Sequence, residues 1–486
     1  MALNAESIPM RWPAGPLDIA RGEKTKGFTA DTAEVLRNWQ DPASLAVVQG
    51  TPINCLVVSW AADAGQQQAL KPLIEKGKQA GLEFVGLIEG EANKPAAVAA
   101  AQSAGLSAVA MEGDAPASGG VPVIPWNTAA QVRSTANSPV LGVADGVWPG
   151  VPQERTPTGG PTNLPWVDSN GAVLLIARAL APDKTVWVGF APPQPAKLAA
   201  EAYMLAVADP ASYGARWVIS LDDQLRADLT AKKQPAADTW KKAIDMLAFF
   251  EQHKEFRTYQ PNGLLAVMSN FAGPDRDLGE EALNLLPRLR QAFRVIARSR
   301  VAGASLTGLQ AIFYVDREAP DAALRKKLMA FATGGGILFV RSNWPNPEGP
   351  PAPAEPYLLF NMRAVGKGRL AVCKEDQPDP YDTVADIQNI MSHRNDLLRL
   401  YNAPSSNFLY ETSAQGGQGV VHVLNYSRRA GSDGPLFYVK EPHKSARLVS
   451  PELASPAELQ WAPQEAGGAE LSLPRLSVYG AIELEK

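Results

Sequence analysis

Short apolar runs and amphipathic stretches alternate along the first half of the chain, from about residue 53 to about residue 255. The runs have the length and composition of buried strands, and the stretches between them have the apolar spacing of helices. Parallel strands joined by helices form an open doubly wound sheet or a closed barrel, and seven or eight such units favour the barrel. The predicted strands are residues 53–59, 82–88, 107–111, 121–124, 140–144, 185–190 and 216–221.

One strand of an eight-stranded barrel is missing from this pattern. Residues 10–19 fill the gap, or the barrel is incomplete. Residues 146–165 form a long loop rich in proline and glycine, and loops of this length are usually functional. The fold class is therefore multidomain α/β, with a (β/α) barrel over residues 1–260.

The alternation restarts after a break near residue 260. This second region is expected to be a small open α/β domain of the flavodoxin type, spanning residues 261–403. Its predicted strands are residues 264–268, 308–315, 337–340 and 369–373, and its predicted helices are residues 279–299, 321–333 and 381–401.

After Pro404 the apolar positions change to a period of two. Short runs of this kind, separated by turns, are typical of a small β-sandwich. The third predicted domain is therefore a C-terminal β-sandwich over residues 404–486.

Composition and charge exclude several classes of partner. The chain is 45% hydrophobic and 20% charged, with a formal net charge of -4 and acids and bases scattered along it. The sequence has no basic stripe of the kind that binds nucleic acid, and it has no Lys/Arg cluster of the kind that binds an anionic membrane. The longest apolar runs, such as residues 53–60, are far shorter than the ~20 residues of a membrane span.

We expect neither a metal nor a cofactor. The three glycines at 334–336 precede a strand rather than a helix, so they form no phosphate cradle. Two cysteines far apart in apolar runs, Cys55 and Cys373, are expected to be buried thiols. The histidines occur singly, without the spacing of metal ligands: His253, His393, His422 and His443.

The localisation is open. No leader is visible in the first residues, Met1-Ala2-Leu3-Asn4. A leader that had been removed would favour a periplasmic or secreted protein, and otherwise the protein is expected to be cytoplasmic.

The residues after the predicted barrel strands carry the candidate chemistry, because barrel active sites lie at the carboxyl ends of the strands. An indole ring covers the C–H face of a sugar, and a pair of carboxylates cleaves a glycosidic bond. The candidate substrate-binding residues are Trp60, Trp126, Asn127 and Trp148. The candidate carboxylates are Glu89, Glu91, Glu112, Asp114, Asp145, Asp222 and Asp223.

A purely structural role for the same residues stays open. Tryptophans also fill the packing beneath loops, and carboxylates at strand ends also cap the helices that follow. Asp145 and Asp222 each suit this second role.

The order of the three domains resembles that of the trimeric-type β-galactosidases with a barrel and their uncharacterised relatives. The middle domain resembles their amidotransferase-like trimerisation domain, and the last domain resembles their sandwich. This resemblance implies a glycoside hydrolase-like protein that binds carbohydrate and forms a homo-oligomer through its middle domain. The motifs that carry it are GLQAIFYVD at 308–316, GGGILFV at 334–340, GKGRLAV at 366–372, VHVLNYS at 421–427 and LPRLSVY at 473–479.

The resemblance also implies a catalytic pair. Barrel glycosidases of that clan resemble one another in an Asn-Glu pair after strand four, the Glu being the acid/base, and in a Glu nucleophile after strand seven. On the strand count above, strand four ends at Trp126-Asn127 without a carboxylate, and strand seven ends at Asp222-Asp223. The acid/base is then absent from its expected place.

Three functional hypotheses follow. The first is a glycosidase in which Asp222 or Asp223 is the nucleophile or base and Glu112, Asp145 or Glu89 is the acid. The second is an inactive barrel that binds carbohydrate or serves as a scaffold. The third is a barrel enzyme that acts on something other than carbohydrate, because a fold alone does not determine a function.

Overall fold

The chain forms two compact units in the computed structural model. One unit comprises Met1–Pro149 and Ala181–Arg257, and the other comprises Gly150–Leu180 and Thr258–Lys486. The residues that the structure describes are 3–24, 28–90, 93–113, 120–132, 138–151, 166–193, 197–352, 357–392, 396–414, 417–429, 434–441, 443–465 and 467–485.

The first unit contains a barrel of eight parallel strands that lie side by side in chain order. Met10 on the first strand pairs with Ile219, just beyond the last strand, and the amide of Arg11 donates to the Ile219 carbonyl at 2.8 Å. The barrel is therefore closed. Its strands are β1 (Pro9–Arg11), β2 (Cys55–Ser59), β3 (Glu83–Ile88), β4 (Ala108–Met111), β5 (Val123–Asn127), β6 (Val140–Val143), β7 (Thr185–Val188) and β8 (Arg216–Trp217).

The missing eighth strand is β1, at the amino end of the predicted segment 10–19. With three residues it is too short to show a period of two, and a helix begins at Pro16, inside the same segment. Because β1 precedes all the predicted strands, every strand number in the sequence-based count rises by one.

Helices follow most of the barrel strands. Side-chain caps fix several of their starts: Asp63, for example, accepts from the amide of Gln66 at 2.7 Å. None of the described helices combines the length and the apolar character that crossing a bilayer requires. The helices up to residue 257 are α1 (Pro16–Gly22), α2 (Ala30–Gln40), α3 (Ala64–Gln79), α4 (Lys94–Ser103), α5 (Gly171–Leu180), α6 (Ala200–Ser212), α7 (Asp223–Thr230) and α8 (Gln234–Gln252).

The second unit contains an open α/β sheet with the strand order β11-β10-β12-β13-β15-β14, in which β14 alone is antiparallel. This is the predicted middle fold. Its strands are β10 (Leu265–Ser269), β11 (Phe293–Ala297), β12 (Ala311–Tyr314), β13 (Ile337–Val340), β14 (Phe360–Val365) and β15 (Gly368–Cys373). Its helices are α9 (Arg276–Arg288), α10 (Ala322–Thr333) and α11 (Pro380–Met391).

Two predicted helices of this region are wrong in extent. The helix predicted at 279–299 ends at Arg288, and the rest of that stretch contains strand β11. The left-handed conformation of Arg290, with φ of 64°, breaks the helix. The helix predicted at 381–401 likewise ends at Met391, where Ser392 has φ of 65°, and a strand follows it.

Two antiparallel sheets form the C-terminal sandwich, as predicted. One has the strand order β16-β19-β23-β22 and the other β21-β20-β24-β18-β17-β9, and apolar side chains of both sheets share one core. The strands are β9 (Gln260–Pro261), β16 (Leu398–Tyr401), β17 (Ser406–Thr412), β18 (Gln418–Asn425), β19 (Leu436–Val439), β20 (Ser445–Val449), β21 (Ala457–Glu458), β22 (Ala462–Pro463), β23 (Ala469–Ser472) and β24 (Tyr479–Glu485).

Helix α5 lies between β6 and β7 in the sequence but belongs to the second unit. It packs against α9 and β11, and seven consecutive residues from Gly171 to Ala177 are buried. At its end Arg178 forms an ion pair with Glu411 at 2.7 Å and donates to the carbonyl of Tyr259. The division of the second unit at residue 404 stays a prediction.

Candidate functional site

The corrected strand count changes which residues follow the fourth and seventh strands. Glu112 directly follows β4, and Gly189 and Phe190 follow β7. In the sequence-based count, strand four therefore lacked a carboxylate only because β1 had been missed and β5 was counted as the fourth strand. In the structure, Met111-Glu112 stands where the resemblance places Asn-Glu, and no carboxylate stands directly after β7.

Hydrogen bonds join the loops after β4, β5 and β6. The side chain of Asn127 accepts from the amide of Gly113 at 3.1 Å, which fixes the backbone next to Glu112. One carboxylate oxygen of Asp145 accepts from the amide of Ala129 at 2.6 Å. The structure therefore brings Glu112, Asn127 and Asp145 together on neighbouring strand ends of one rim.

Glu112 is exposed, and its carboxylate makes no hydrogen bond or ion pair within the described part of the chain. Its backbone is held in place, because the ammonium of Lys94 donates to the Glu112 carbonyl at 2.7 Å. The side chain of Glu112 is therefore available to a ligand on a fixed backbone.

Asp222 is committed to the structure of the barrel. It is 2% exposed, caps α7 through the amide of Leu225 at 2.8 Å, and accepts from the Tyr203 hydroxyl at 2.5 Å. Burial and this hydrogen bond raise the pKa of Tyr203 well above its ordinary value. Both oxygens of Asp222 are thus occupied, as expected of a structural cap.

Asp223 is paired with Arg226, one turn further along α7. Arg226 is buried and lies over the ring of Trp39, with 5.8 Å between the guanidinium carbon and the ring centroid. Burial lowers the pKa of Arg226, and the charge of Asp223 opposes this shift. Asp223 therefore compensates a buried cation.

A polar cluster at the ends of β1, β2 and β3 was missed in the sequence. Arg11 donates to Asp18 at 2.8 Å and to the Ser59 hydroxyl at 2.6 Å, and Ser59 also donates to Asp18 at 2.8 Å. Arg21 extends the cluster to Glu89, with which it forms an ion pair. Recognition of β1 was the only signal that could have revealed it, because Arg11 is the last residue of that strand.

Trp60 lies in the packing of the barrel. It is 2% exposed, and its indole N–H donates to the carbonyl of Ala97 in α4 at 3.1 Å. The structure leaves no face of this ring in solvent.

Trp126 is half-buried, and glycines make room for its ring. A Cβ placed on Gly142 would lie 2.1 Å from Trp126 Cε3, and a Cβ on Gly189 would lie 2.6 Å from Cζ2. The indole therefore lies against the backbone of β6 and of the residue after β7. Part of the ring packs on the barrel core, and the rest is exposed.

Trp148 is half-buried in an aromatic cluster. Its ring meets the rings of Phe190, Tyr203 and Trp217 edge-on, with centroids 5.5 to 5.7 Å apart. Its indole nitrogen has no hydrogen-bond partner among the described residues. Trp126 and Trp148 thus both lie next to Gly189-Phe190, whereas Trp60 packs against α4.

Several candidates lie outside the described residues, namely Glu91, Asp114 and His393. Both cysteines are buried free thiols, as expected, and burial raises the pKa of Cys55 and of Cys373. The side chain of His422 is buried and bonds the hydroxyl of Tyr479 at 2.7 Å. The expected absence of a metal and of a cofactor stays a prediction.

Comparisons with known proteins show a likeness in fold but none in sequence. No family model matches the chain, and no curated protein is similar to it in sequence. The structure is similar to α-L-fucosidase isoenzyme 2 from Paenibacillus thiaminolyticus, with a TM-score of 0.60 and 10% identity over 99% of this chain and 100% of that chain.

Two further solved structures are more distant. One is an exo-β-1,4-mannosidase from Opitutaceae bacterium strain TAV5, with a TM-score of 0.45 and 11% identity over 77% of this chain and 94% of that chain. The other is a β-galactosidase from Bacillus circulans sp. alkalophilus, with a TM-score of 0.44 and 8% identity over 86% of this chain and 67% of that chain. The likeness to the fucosidase covers nearly the whole chain and shows that the chain has a glycoside hydrolase-like fold, with the barrel in its first unit.

Proposed function

We propose that the protein is a glycoside hydrolase that binds a glycan at the carboxyl end of its barrel and uses Glu112 as the general acid. The carrying observation is that β1 shifts the strand count, so that Glu112 follows the fourth strand directly. The fold shared with α-L-fucosidase isoenzyme 2 supports a carbohydrate as the ligand.

The surroundings of Glu112 suit a general acid. A general acid needs a carboxyl group that can approach the glycosidic oxygen, on a backbone that keeps its position. Glu112 is exposed and makes no side-chain bond to any residue that the structure describes, and its backbone is held through Gly113 and Lys94. The other candidate carboxylates that the structure describes are bonded to at least one donor: Glu89, Asp145, Asp222 and Asp223.

Asp145 is the best partner for Glu112. It stands two strands away, and neighbouring strands are ~4.8 Å apart, so the two strand ends are separated by about 10 Å. Carboxyl groups of inverting enzymes lie about 6.5–9.5 Å apart, and those of retaining enzymes about 5–5.5 Å. The separation of the strand ends is nearer to the inverting range than to the retaining range. We therefore propose inversion, with Asp145 as the base that activates water through the oxygen not bonded to Ala129.

Trp126 supplies an aromatic surface beside these carboxylates. It is on β5, between the strands that precede Glu112 and Asp145, and its ring is partly exposed. Such a ring stacks on the apolar face of a pyranose. We propose that Trp126 positions the sugar and that Trp148 supports the same side of the rim.

One observation favours a second candidate, a protein that binds a glycan without cleaving it. The residues directly after β7, Gly189 and Phe190, offer no carboxylate where the resemblance implies a nucleophile. If Asp145 does not act as a base, the site retains a sugar-binding surface and an acid without its partner.

The test uses Glu112→Gln, because glutamine keeps the shape of the side chain and cannot give up a proton. The wild-type chain is assayed on aryl glycosides of fucose, galactose and mannose, and turnover of at least one is expected. We expect Glu112→Gln to lower kcat/KM about 10²–10⁴-fold, the usual contribution of general acid catalysis.

Glu89→Gln is the matched control, since Glu89 follows the neighbouring strand β3 and is paired with Arg21. It should leave kcat/KM within a few-fold of wild type. Equal losses in the two variants would exclude the specific role of Glu112. Binding on a glycan array without any turnover by the wild-type chain would establish the second candidate instead.

A further inference from the structure

The open sheet of the second unit has a point at which its strand order reverses. The chain passes from β10 to β11 on one side, and then crosses to β12 on the other side of β10. In open parallel sheets, ligands bind in the crevice outside the carboxyl ends of the strands at such a point. In this sheet the loops after β10 and β12 lie at that point, and the loop after β13 follows the next strand along.

The loops after β10 and β12 are joined by buried polar contacts. Asp316, which closely follows β12, is 4% exposed. It accepts from the Ser269 hydroxyl at 2.5 Å, from the Asn270 amide at 3.0 Å and from Arg298 at 3.3 Å. This carboxylate is therefore fully occupied and joins the loops after β10 and β12.

Arg341 directly follows β13 and is buried, with 4% of its surface exposed. It donates from Nη2 to the carbonyl of Asp376, and its Nε has no hydrogen-bond partner among the described residues. Among the described residues it forms no ion pair, and the nearest carboxylates, Asp275 and Asp376, are paired with Arg317. Burial and the nearby charge of Arg317 lower the pKa of Arg341, and the charges of Asp275 and Asp376 oppose this shift.

Arg317 brings a second guanidinium to the same edge. It follows Asp316 in the chain, and the Asp275 carboxylate accepts from its amide at 2.9 Å. Its guanidinium is paired with Asp275 and with Asp376, each at 3.7 Å. Its side chain donates to the carbonyl of Asp376, the same oxygen that Arg341 uses. The Arg317 carbonyl in turn accepts from Asn343 at 2.8 Å, which joins the loops after β12 and β13.

A buried cation without a paired carboxylate is costly, and an anion that binds it relieves this cost. Guanidinium groups bind carboxylate and phosphate oxygens through strong, charge-assisted hydrogen bonds. We infer that the carboxyl edge of this sheet binds a small oxyanion, a carboxylate or a phosphate group, on Arg341 with Arg317 beside it. This site is distinct from the barrel rim and does not depend on the proposed hydrolase activity.

The full chain is the object of the test, and thermal unfolding is the readout. Inorganic phosphate and D-glucuronate are titrated separately, with sodium chloride used to keep the ionic strength constant. A ligand that binds only the folded chain raises Tm with the logarithm of its concentration. We expect one of the two probes to raise Tm in this way, and the probe that does so shows whether the site takes a phosphate or a carboxylate.

Arg341→Met should abolish this rise, because methionine keeps an apolar stem and removes the guanidinium. The matched control is Arg369→Met, an exposed arginine at the start of β15, on the opposite edge of the same sheet. It should keep the rise seen in the wild-type chain. If Arg341→Met does not fold, Arg317→Met replaces it and is expected to weaken binding at least ten-fold.

Either of two results overturns the inference. The first is a wild-type chain whose Tm responds to neither probe beyond the sodium chloride control. The second is a folded Arg341→Met chain that shows the same rise in Tm as the wild-type chain.

Discussion

Carboxylates at the same rim differ in what already occupies their oxygens. Asp222 is buried, caps α7 and bonds Tyr203, whereas Glu112 is exposed and makes no bond within the described residues. A carboxylate whose oxygens are all bonded stabilises the fold, and one that is free can exchange a proton with a ligand. This contrast separates structural from reactive groups among residues that look alike in the sequence.

Asp222→Ala should therefore lower stability rather than define the chemistry. The substitution removes a helix cap and leaves the buried Tyr203 hydroxyl without its acceptor, so we expect a loss of about 1–3 kcal/mol. Unfolding in urea measures it. Asp245→Ala, which breaks an exposed ion pair with Lys241 on α8, should cost less than ~0.5 kcal/mol and is the control. Equal stability of wild type and Asp222→Ala would refute the capping role.

The sequence was informative about single residues only where the chemistry is local. An aspartate directly before a helix-like stretch suggests a cap, and Asp222 is one. The contacts of Arg11 with Asp18 and Ser59 depend on which strands are neighbours, and the unrecognised β1 concealed them. The freedom of Glu112 is likewise a property of the loops around it, which no local pattern specifies.

Among the elements, the strands β5, β6 and β7 show how one large ring is accommodated. Trp126 on β5 lies against Gly142 on β6 and Gly189 after β7, where a side chain would collide with the indole. Interiors are close-packed, so a single added methyl group must move a neighbour. The two glycines thus fix the position of the proposed sugar-binding ring.

Gly142→Ala should displace Trp126 and destabilise the barrel. The new Cβ would lie 2.1 Å from the ring, and overpacking of this kind typically costs about 1–3 kcal/mol. Urea unfolding and the fluorescence of the chain measure the two effects. Gly303→Ala is the control, because no atom lies within 4 Å of its Cβ and little change is expected. A variant as stable as wild type, with unchanged fluorescence, would show that the ring is not confined there.

The sequence predicted helices and strands correctly where the apolar runs are long. It failed where the backbone conformation of a single residue ends an element. Buried runs such as 82–88 and 337–340 match β3 and β13 closely. Strand β11 was read as the end of a helix, because the arginine-rich stretch before it has a helical polarity and the break lies in the backbone of Arg290. Strand β1 has three residues and gives no periodic signal.

At the scale of the whole molecule, the two units do not correspond to two continuous stretches of the sequence. Helix α5 is encoded inside the barrel sequence, yet it packs on α9 and β11 of the second unit. A chain that stops at residue 257 therefore keeps α5 and loses its partners. Its buried Val173, Leu174 and Ile176 would then face water.

We expect the fragment 1–257 to aggregate, because α5 then exposes an apolar surface that the full chain buries. Size-exclusion chromatography and thermal unfolding test this. The matched control is the same fragment with Val173, Leu174 and Ile176 changed to serine, which should be more soluble. A monomeric wild-type fragment that unfolds cooperatively would contradict the expectation.

The assignment of residues 150–180 to the second unit also affects how the two units can be inherited. The chain passes between them after Pro149, after Leu180 and again after Arg257. Genetic recombination at one breakpoint transfers a domain intact only when its residues are contiguous. A breakpoint at 257 would separate α5 from the helix and strand on which it packs, so this barrel and its companion unit are expected to be exchanged during evolution as a single block.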